Sequence, residues 1–470
     1  FRQLFRLGNH LFGLLGKGRF GDLQPEIGRG EEKKIARTTA AYREVMRRAA
    51  ALEPDTVVIT SPHATMYGDY FHIAPGKKAV GDFSAFRCPE VKIEAAYDDV
   101  FSKALADACA ADDLPAGFLG EREPALDHGT MIPLYFLQPE LKKPVKVVRI
   151  GLSGLGADVH YRLGEKIAET AEKLGRRVVF IASGDLSHKL KADGPYGFAK
   201  EGPVFDEAVT RDLGAADFLS LLTISPELAE GAAECGLRSF WIMAGAFDCQ
   251  MVHAELLAHE GPFGVGYGVA YFTPEGRDDS RDIGRQLIEK EANDIAAIRE
   301  HEDAYVRLAR ESLETFVRSH VMMPLPKDLP EDLQDRRAGC FVSIKKDGRL
   351  RGCIGTLAPG CRNLAEEILC NAVSAGMHDP RFPQVTPEEL PRLVYDVDVL
   401  SEPEPIDSPK ALDVKRYGVI VQNGERRGVL LPDLAGVDTV DEQIAIARRK
   451  GNIGAKEKVT LWRFEVKRHV

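Results

Sequence analysis

The feature that most narrows the choice of fold is a repeated change of hydrophobic period, from helical to continuous, with a polar loop after each continuous run. From Glu31 to Leu52 apolar and alanine positions recur at helical spacing, and Pro54-Asp55 ends that helix. The run Thr56-Val57-Val58-Ile59-Thr60 then reads as a buried strand. The same grammar returns as a strand from Lys146 to Ile150, a helix from Glu165 to Leu174 and a strand from Val178 to Ala182. Strands alternating with helices imply an α/β fold, a parallel sheet covered on both faces. Ligands in such sheets sit beyond the carboxyl ends of the strands, where loops converge and helix amino termini point inward. Two strands lead into unusual loops at that end, Ser61-Pro62-His63 and Ser183-Gly184-Asp185-Leu186-Ser187-His188. Both deliver a histidine to one rim.

A chain of 470 residues exceeds one ordinary core. After the Gly-rich segment 261–267 and the strand-like Val269-Ala270-Tyr271-Phe272, the stretch from Thr273 to Asp282 is charged and bears proline and glycine. We therefore place a first domain at 1–275 with an atypical start over 1–24, a linker over 276–299, and a smaller α+β domain at 300–470. A long helical pattern runs from Ile283 to Ser319, and strands such as Gly339 to Lys345 accompany one clear helix from Asn363 to Ala375.

The formal charge of −10 leaves no global positive field to draw nucleic acid, so none is expected as a partner. No apolar run reaches the length of about 18 residues that a membrane span needs. Eight cysteines without C-x-x-C spacing argue against a disulfide framework and against a zinc ribbon, and point to a reducing, cytoplasmic location.

Several residues could carry chemistry. His63 is a candidate metal ligand, although a single loop histidine is also an ordinary hydrogen-bonded residue. His128, in Asp127-His128-Gly129-Thr130, has a neighbour able to orient its ring, or else belongs to a capped turn before a strand from Met131 to Phe136. Asp185 and His188, three apart, can face one cavity together; the bland alternative makes Asp185 or Ser187 a helix cap. Cys235 next to Arg238 is a candidate thiolate ligand or a buried structural cysteine. Neutral imidazoles with a carboxylate or thiolate suit Fe(II) and leave a face open to substrate and dioxygen. In the second half, Arg351 and Cys353 lie on a glycine-flanked strand, a candidate site or a structural hairpin.

These motifs carry a resemblance. Ser61-Pro62-His63, Leu126-Asp127-His128-Gly129 and Ser183-Gly184-Asp185-Leu186-Ser187-His188 resemble the LigB-like class III extradiol dioxygenases, and within them the Memo branch, over most of 25–272. The resemblance implies His63, His188 and Cys235 as metal ligands, His128 and Asp185 as catalytic residues, and Fe(II) as the metal, with zinc or copper as alternatives. It implies a catechol-like small aromatic substrate. It also places a first metal histidine just before Pro25-Glu26-Ile27-Gly28, where Gly18-Arg19-Phe20-Gly21-Asp22-Leu23-Gln24 holds none. Leu350-Arg351-Gly352-Cys353-Ile354-Gly355-Thr356, Asp379-Pro380-Arg381-Phe382-Pro383 and Gly428-Val429-Leu430-Leu431-Pro432 resemble the AMMECR family over roughly 300–470. The fusion is similar to the AmmeMemoRadiSam system, which implies a radical SAM enzyme as partner. A non-catalytic scaffold that binds metal or peptide and docks that partner is the competing expectation.

Overall fold

The computed structural model describes residues 10–13, 30–120, 122, 125–434 and 436–470, so residues 14–29, including the expected place of a first metal histidine just before Pro25, lie outside the described residues. The chain divides into two compact units, Phe1–Glu289 and Lys290–Val470.

The first unit is built on an eight-stranded sheet in the order Lys78–Phe83, Cys88–Tyr97, Lys146–Gly151, Thr56–Ser61, Val178–Ala182, His10–Gly13, Tyr267–Arg277, Gln250–Glu260. Pairing is parallel from Cys88–Tyr97 through His10–Gly13 and antiparallel at both edges. The two central strands are continuous apolar runs because both of their faces are covered. Val58, Val148 and Phe180 enter one core, with Leu163, Phe240 and Met243 from helices Ala157–Lys173 and Leu237–Ala246. Val57, Ile59, Val179 and Ile181 enter the other, with Tyr42, Val45 and Met46 from helix Ala36–Ala51 and Leu134 from helix His128–Leu137.

Two features differ from the sequence reading, the strand at 131–136 and the unbroken helix from 283 to 319. Residues expected as a strand from Met131 to Phe136 form helix His128–Leu137, with Asp127 as its N-cap. The stretch 276–299, placed as a linker, holds the 3₁₀ turn Asp279–Arg281 and most of helix Ile283–His301, where the helical pattern read from Ile283 begins. The long helical pattern that follows is broken into that helix and Ala304–Ser319, because Asp303 accepts hydrogen bonds from the Tyr305 and Val306 amides and starts a new helix.

The second unit is α+β. Its antiparallel sheet runs Arg349–Gly355, Cys340–Lys346, Leu393–Leu400, Thr460–His469, Tyr417–Asn423, Arg426–Leu430, with Glu404–Ile406 also on Thr460–His469. Helices Ala304–Ser319 and Leu364–Met377 bury Val306, Leu313, Ile368 and Ala372 against Val342, Ile344 and Val397. Among the described residues no helix is long and apolar enough to cross a membrane.

Candidate metal centre and its rim

Strands Thr56–Ser61 and Val178–Ala182 pair in register, Thr60 opposite Ala182, and the Ser183 amide donates to the Thr60 carbonyl at 3.1 Å. The two polar loops therefore leave the sheet at one level. Ser61 is the hinge of the first: its hydroxyl donates to Asp127 Oδ1 at 2.6 Å and accepts from the His63 amide at 3.2 Å. Asp127 also accepts from the Thr130 amide at 3.0 Å and the Thr130 hydroxyl at 2.8 Å, so one carboxylate starts helix His128–Leu137 and fastens it to the strand end. Buried Arg149 stands 3.8 Å from Asp127 and compensates its charge.

This arrangement brings His63 and His128 face to face, ring centroids 4.1 Å apart and planes 23° from parallel, with Phe86 edge-on to His128 at 5.5 Å. Both imidazoles are half-buried. A side chain at Gly129 would meet Ser61 Oγ at 2.4 Å and Ser183 Oγ at 3.3 Å, so the start of this helix touches both loops.

The second loop makes the denser cluster. Asp185, His188 and Cys235 offer ligand atoms that all lie within 4.8 Å of one another. His188 Nε2 is 2.9 Å from Asp185 Oδ2 and 3.8 Å from Cys235 Sγ, and the Asp185 amide donates to that sulfur at 3.2 Å. Neither Asp185 nor Ser187 caps a helix, since the next one begins at Glu201. Cys235 reaches the loop because backbone meets backbone there: a Cβ on Gly184 would stand 2.3 Å from Gly236 Cα, and the Gly236 amide donates to the Asp185 carbonyl at 2.9 Å. The Ser239 hydroxyl, one turn into helix Leu237–Ala246, donates to the Ser183 carbonyl at 2.7 Å. Burial pushes the Glu234 carboxyl above its ordinary range, while the Leu237 amide, donating at 2.7 Å, pulls it down.

The donor set fits a cation. Ionised, a carboxylate and a thiolate this close repel each other, and a metal ion between them removes that cost while an imidazole completes a mixed O, N, S set. His63 lies against His128, and the group within mutual reach contains Asp185, which the sequence reading gave a catalytic role and also matched to a metal-associated position.

Two residues of this site were not found in the sequence. Asp206, on helix Glu201–Ala215, accepts the Ser187 amide at 2.7 Å and faces His259 Nε2 at 2.8 Å. Burial raises its carboxyl, against the pull of His259 and that amide. The Gly-rich segment was its signal: a Cβ on Gly266 would meet Asp206 Oδ2 at 2.0 Å. Tyr196 stacks on His188 at 5.1 Å and is 45% exposed, an aromatic face at the mouth of the cluster.

In the second unit Arg351 is held as a brace. It grips Glu389 through two hydrogen bonds of 3.0 and 2.9 Å and donates to the carbonyls of Pro383 and Gln384. The Cys353 amide donates to Asp379 at 2.9 Å, and Arg381 bridges Asp379 to the Cys353 carbonyl. The two signature segments thus lock to each other.

Residues 23–270 match the family model described as the catalytic LigB subunit of aromatic ring-opening dioxygenase, and 306–469 match AMMECR1. A Clostridium acetobutylicum protein is 38% identical over 455 residues, 95% of this chain and 96% of its own length. A Thermotoga maritima protein is 49% identical over 170 residues, 36% of this chain and 98% of that one. The crystal structure of an uncharacterized protein from Pyrococcus horikoshii is 32% identical, covers 35% of this chain and 88% of its own, and superposes with a TM-score of 0.33. The chain belongs to the LigB family, an extradiol dioxygenase-like class, through its first unit, and its second unit is an AMMECR1 domain.

Proposed function

We propose that the first unit is a non-haem iron oxidoreductase acting on a catechol-like small aromatic molecule. One observation carries the reading: Asp185, His188 and Cys235 converge within 4.8 Å at strand ends that also set His63 against His128. Ferrous iron held by the three donors would supply open positions at which substrate oxygen and dioxygen bind side by side. The protein's own contribution is orientation and proton movement. His128, with the His63 ring on its face and Phe86 at its edge, takes the proton from a substrate hydroxyl, and its half-buried position keeps bulk water from competing. Tyr196 offers its exposed ring to an aromatic substrate.

The test is anaerobic titration with Fe(II), followed by catechol and then dioxygen. We expect one equivalent of iron bound, a new absorbance band with catechol, and oxygen uptake, all lost in Cys235→Ser and His188→Ala. Absence of both bound iron and the catechol band would sink the reading.

A second reading, a scaffold that docks a radical SAM enzyme, draws on the lack of any histidine from residue 14 to residue 29. The chain has no iron–sulfur cysteine triplet, so the cluster would be the partner's. Under this reading His63→Ala and His188→Ala leave capture of that enzyme intact, and iron-loaded protein consumes no oxygen.

A further inference from the structure

The second unit contains a cavity of about 360 Å³ whose wall carries Met322, Met323, Cys361 and Cys370. The Cys361 and Cys370 sulfurs are 3.9 Å apart. Two sulfurs bound to one metal at about 2.3 Å stand about 3.8 Å apart in tetrahedral geometry and about 4.0 Å apart in trigonal geometry, so the observed separation needs little adjustment. Both mounts are stiff. The Cys361 amide donates at 2.8 Å to buried Glu367, whose carboxylate also takes the Gly360 amide at 2.8 Å and the Thr356 hydroxyl at 2.5 Å. Cys370 lies within helix Leu364–Met377, capped by Asn363.

The remaining donors decide which ion is suited. The Glu366 carboxylate is occupied by the Arg362 amide at 3.1 Å and its guanidinium at 2.9 Å, and no imidazole lines the cavity. Two thiols and two thioether-bearing side chains are left on the wall; thiolates serve Cu(I) and Zn(II) alike, and it is the thioethers, poor ligands for the harder Zn(II), that tilt the set toward Cu(I). Met322 is 42% exposed and Cys370 is exposed, so an ion can enter from solvent.

We propose that Cys361, Cys370, Met322 and Met323 form a binding site for a soft monovalent cation, Cu(I), separate from the Asp185, His188 and Cys235 centre. Each thiol releases its proton to solvent as its sulfur takes the metal, and no electron is transferred.

The experiment is anaerobic competition for Cu(I) between the reduced full-length protein and a chromophoric Cu(I) chelator, with near-ultraviolet thiolate-to-copper absorbance as a second readout. A Cys235→Ser background removes the thiol of the first unit's candidate metal centre. We expect that background to hold one equivalent, which disappears on adding Cys361→Ser with Cys370→Ser. Met322→Leu with Met323→Leu should keep the thiols and weaken binding at least tenfold. Circular dichroism and an unchanged urea midpoint check that each variant folds, and Cys361→Ala with Cys370→Ala repeats the test should the serine pair misfold. Equal Cu(I) uptake with and without the two cysteines overturns the proposal, as does displacement of Cu(I) by an equal concentration of Zn(II).

Discussion

At the scale of single residues, the Asp185 and His188 side chains meet because the loop between them is held by a residue outside the cluster. Asp206 accepts the Ser187 amide inside the protein, fixing the backbone one residue before the imidazole. Asp206→Ala leaves that buried amide without an acceptor, at a cost of about 1–3 kcal/mol. The loss should appear as about 10- to 100-fold weaker metal affinity, the effect usual when the partners that orient ligands are removed. Asp206→Asn retains an acceptor oxygen and should recover most of the affinity; calorimetric titration with Fe(II) or Co(II) measures both, and an alanine variant matching wild type would refute the positioning role. His128→Asn tests the other half of the site. It should bind metal normally while turnover of a catechol falls by about 10²- to 10⁴-fold, the range for loss of a general base. Weakened metal binding in that variant would mean that His128 is a ligand instead.

At the scale of elements, the two helices behind the sheet cross with their backbones touching. A Cβ on Gly245 would stand 1.9 Å from the Tyr161 carbonyl oxygen, and one on Gly164 would stand 1.9 Å from the Ile242 carbonyl oxygen. No rotamer relieves a clash with backbone, so Gly245→Ala must push helices Ala157–Lys173 and Leu237–Ala246 apart. Overpacking of this kind costs about 1–3 kcal/mol, read as a lowered thermal midpoint. Because Cys235 lies one residue before Gly236, the N-cap of the second helix, metal affinity should fall with it. The central strands were legible in the sequence because each is buried on two faces and so reads as an unbroken apolar run. The same reasoning misread Met131 to Phe136: nearly every residue of helix His128–Leu137 is buried, which erases the helical period that would have revealed it. Asp127 was the visible sign, a cap followed by Thr130 at the position its carboxylate reaches. Helix Ile283–His301 and Asp303 gave the opposite difficulty, an unbroken helical pattern with a new start hidden inside it. His63 and His188 were legible because they follow strands, whereas Asp206 comes from the middle of helix Glu201–Ala215 and Tyr196 from a loop, neither next to a strand end in sequence.

At the scale of the whole molecule, the units have separate hydrophobic cores, and each holds a partly buried carboxyl that its surroundings shift in the opposite direction. In the first unit, burial and then the nearby Asp248 push Glu165 up from 4.5 to about 7. In the second, burial works to raise Glu389, but hydrogen bonds from Arg351 and Lys346 overcome it and hold the carboxyl down at about 2, from the same ordinary 4.5. The signs follow by linkage. Glu165, raised in the folded state, contributes stability below pH 4.5 that is lost as pH rises through about 7. Glu389, depressed, contributes stability above pH 4.5 that is lost as pH falls toward about 2. The two tryptophans report the units separately, Trp241 lying in the first and Trp462 in the second. In a Trp241→Phe chain, the urea midpoint followed at Trp462 should fall between pH 4.5 and 2, and Glu389→Gln should flatten that fall. In a Trp462→Phe chain, the midpoint followed at Trp241 should decline as pH rises through about 7, and Glu165→Gln should abolish the decline. Identical pH profiles from the two reporters would contradict the assignment of each ionisation to its own core.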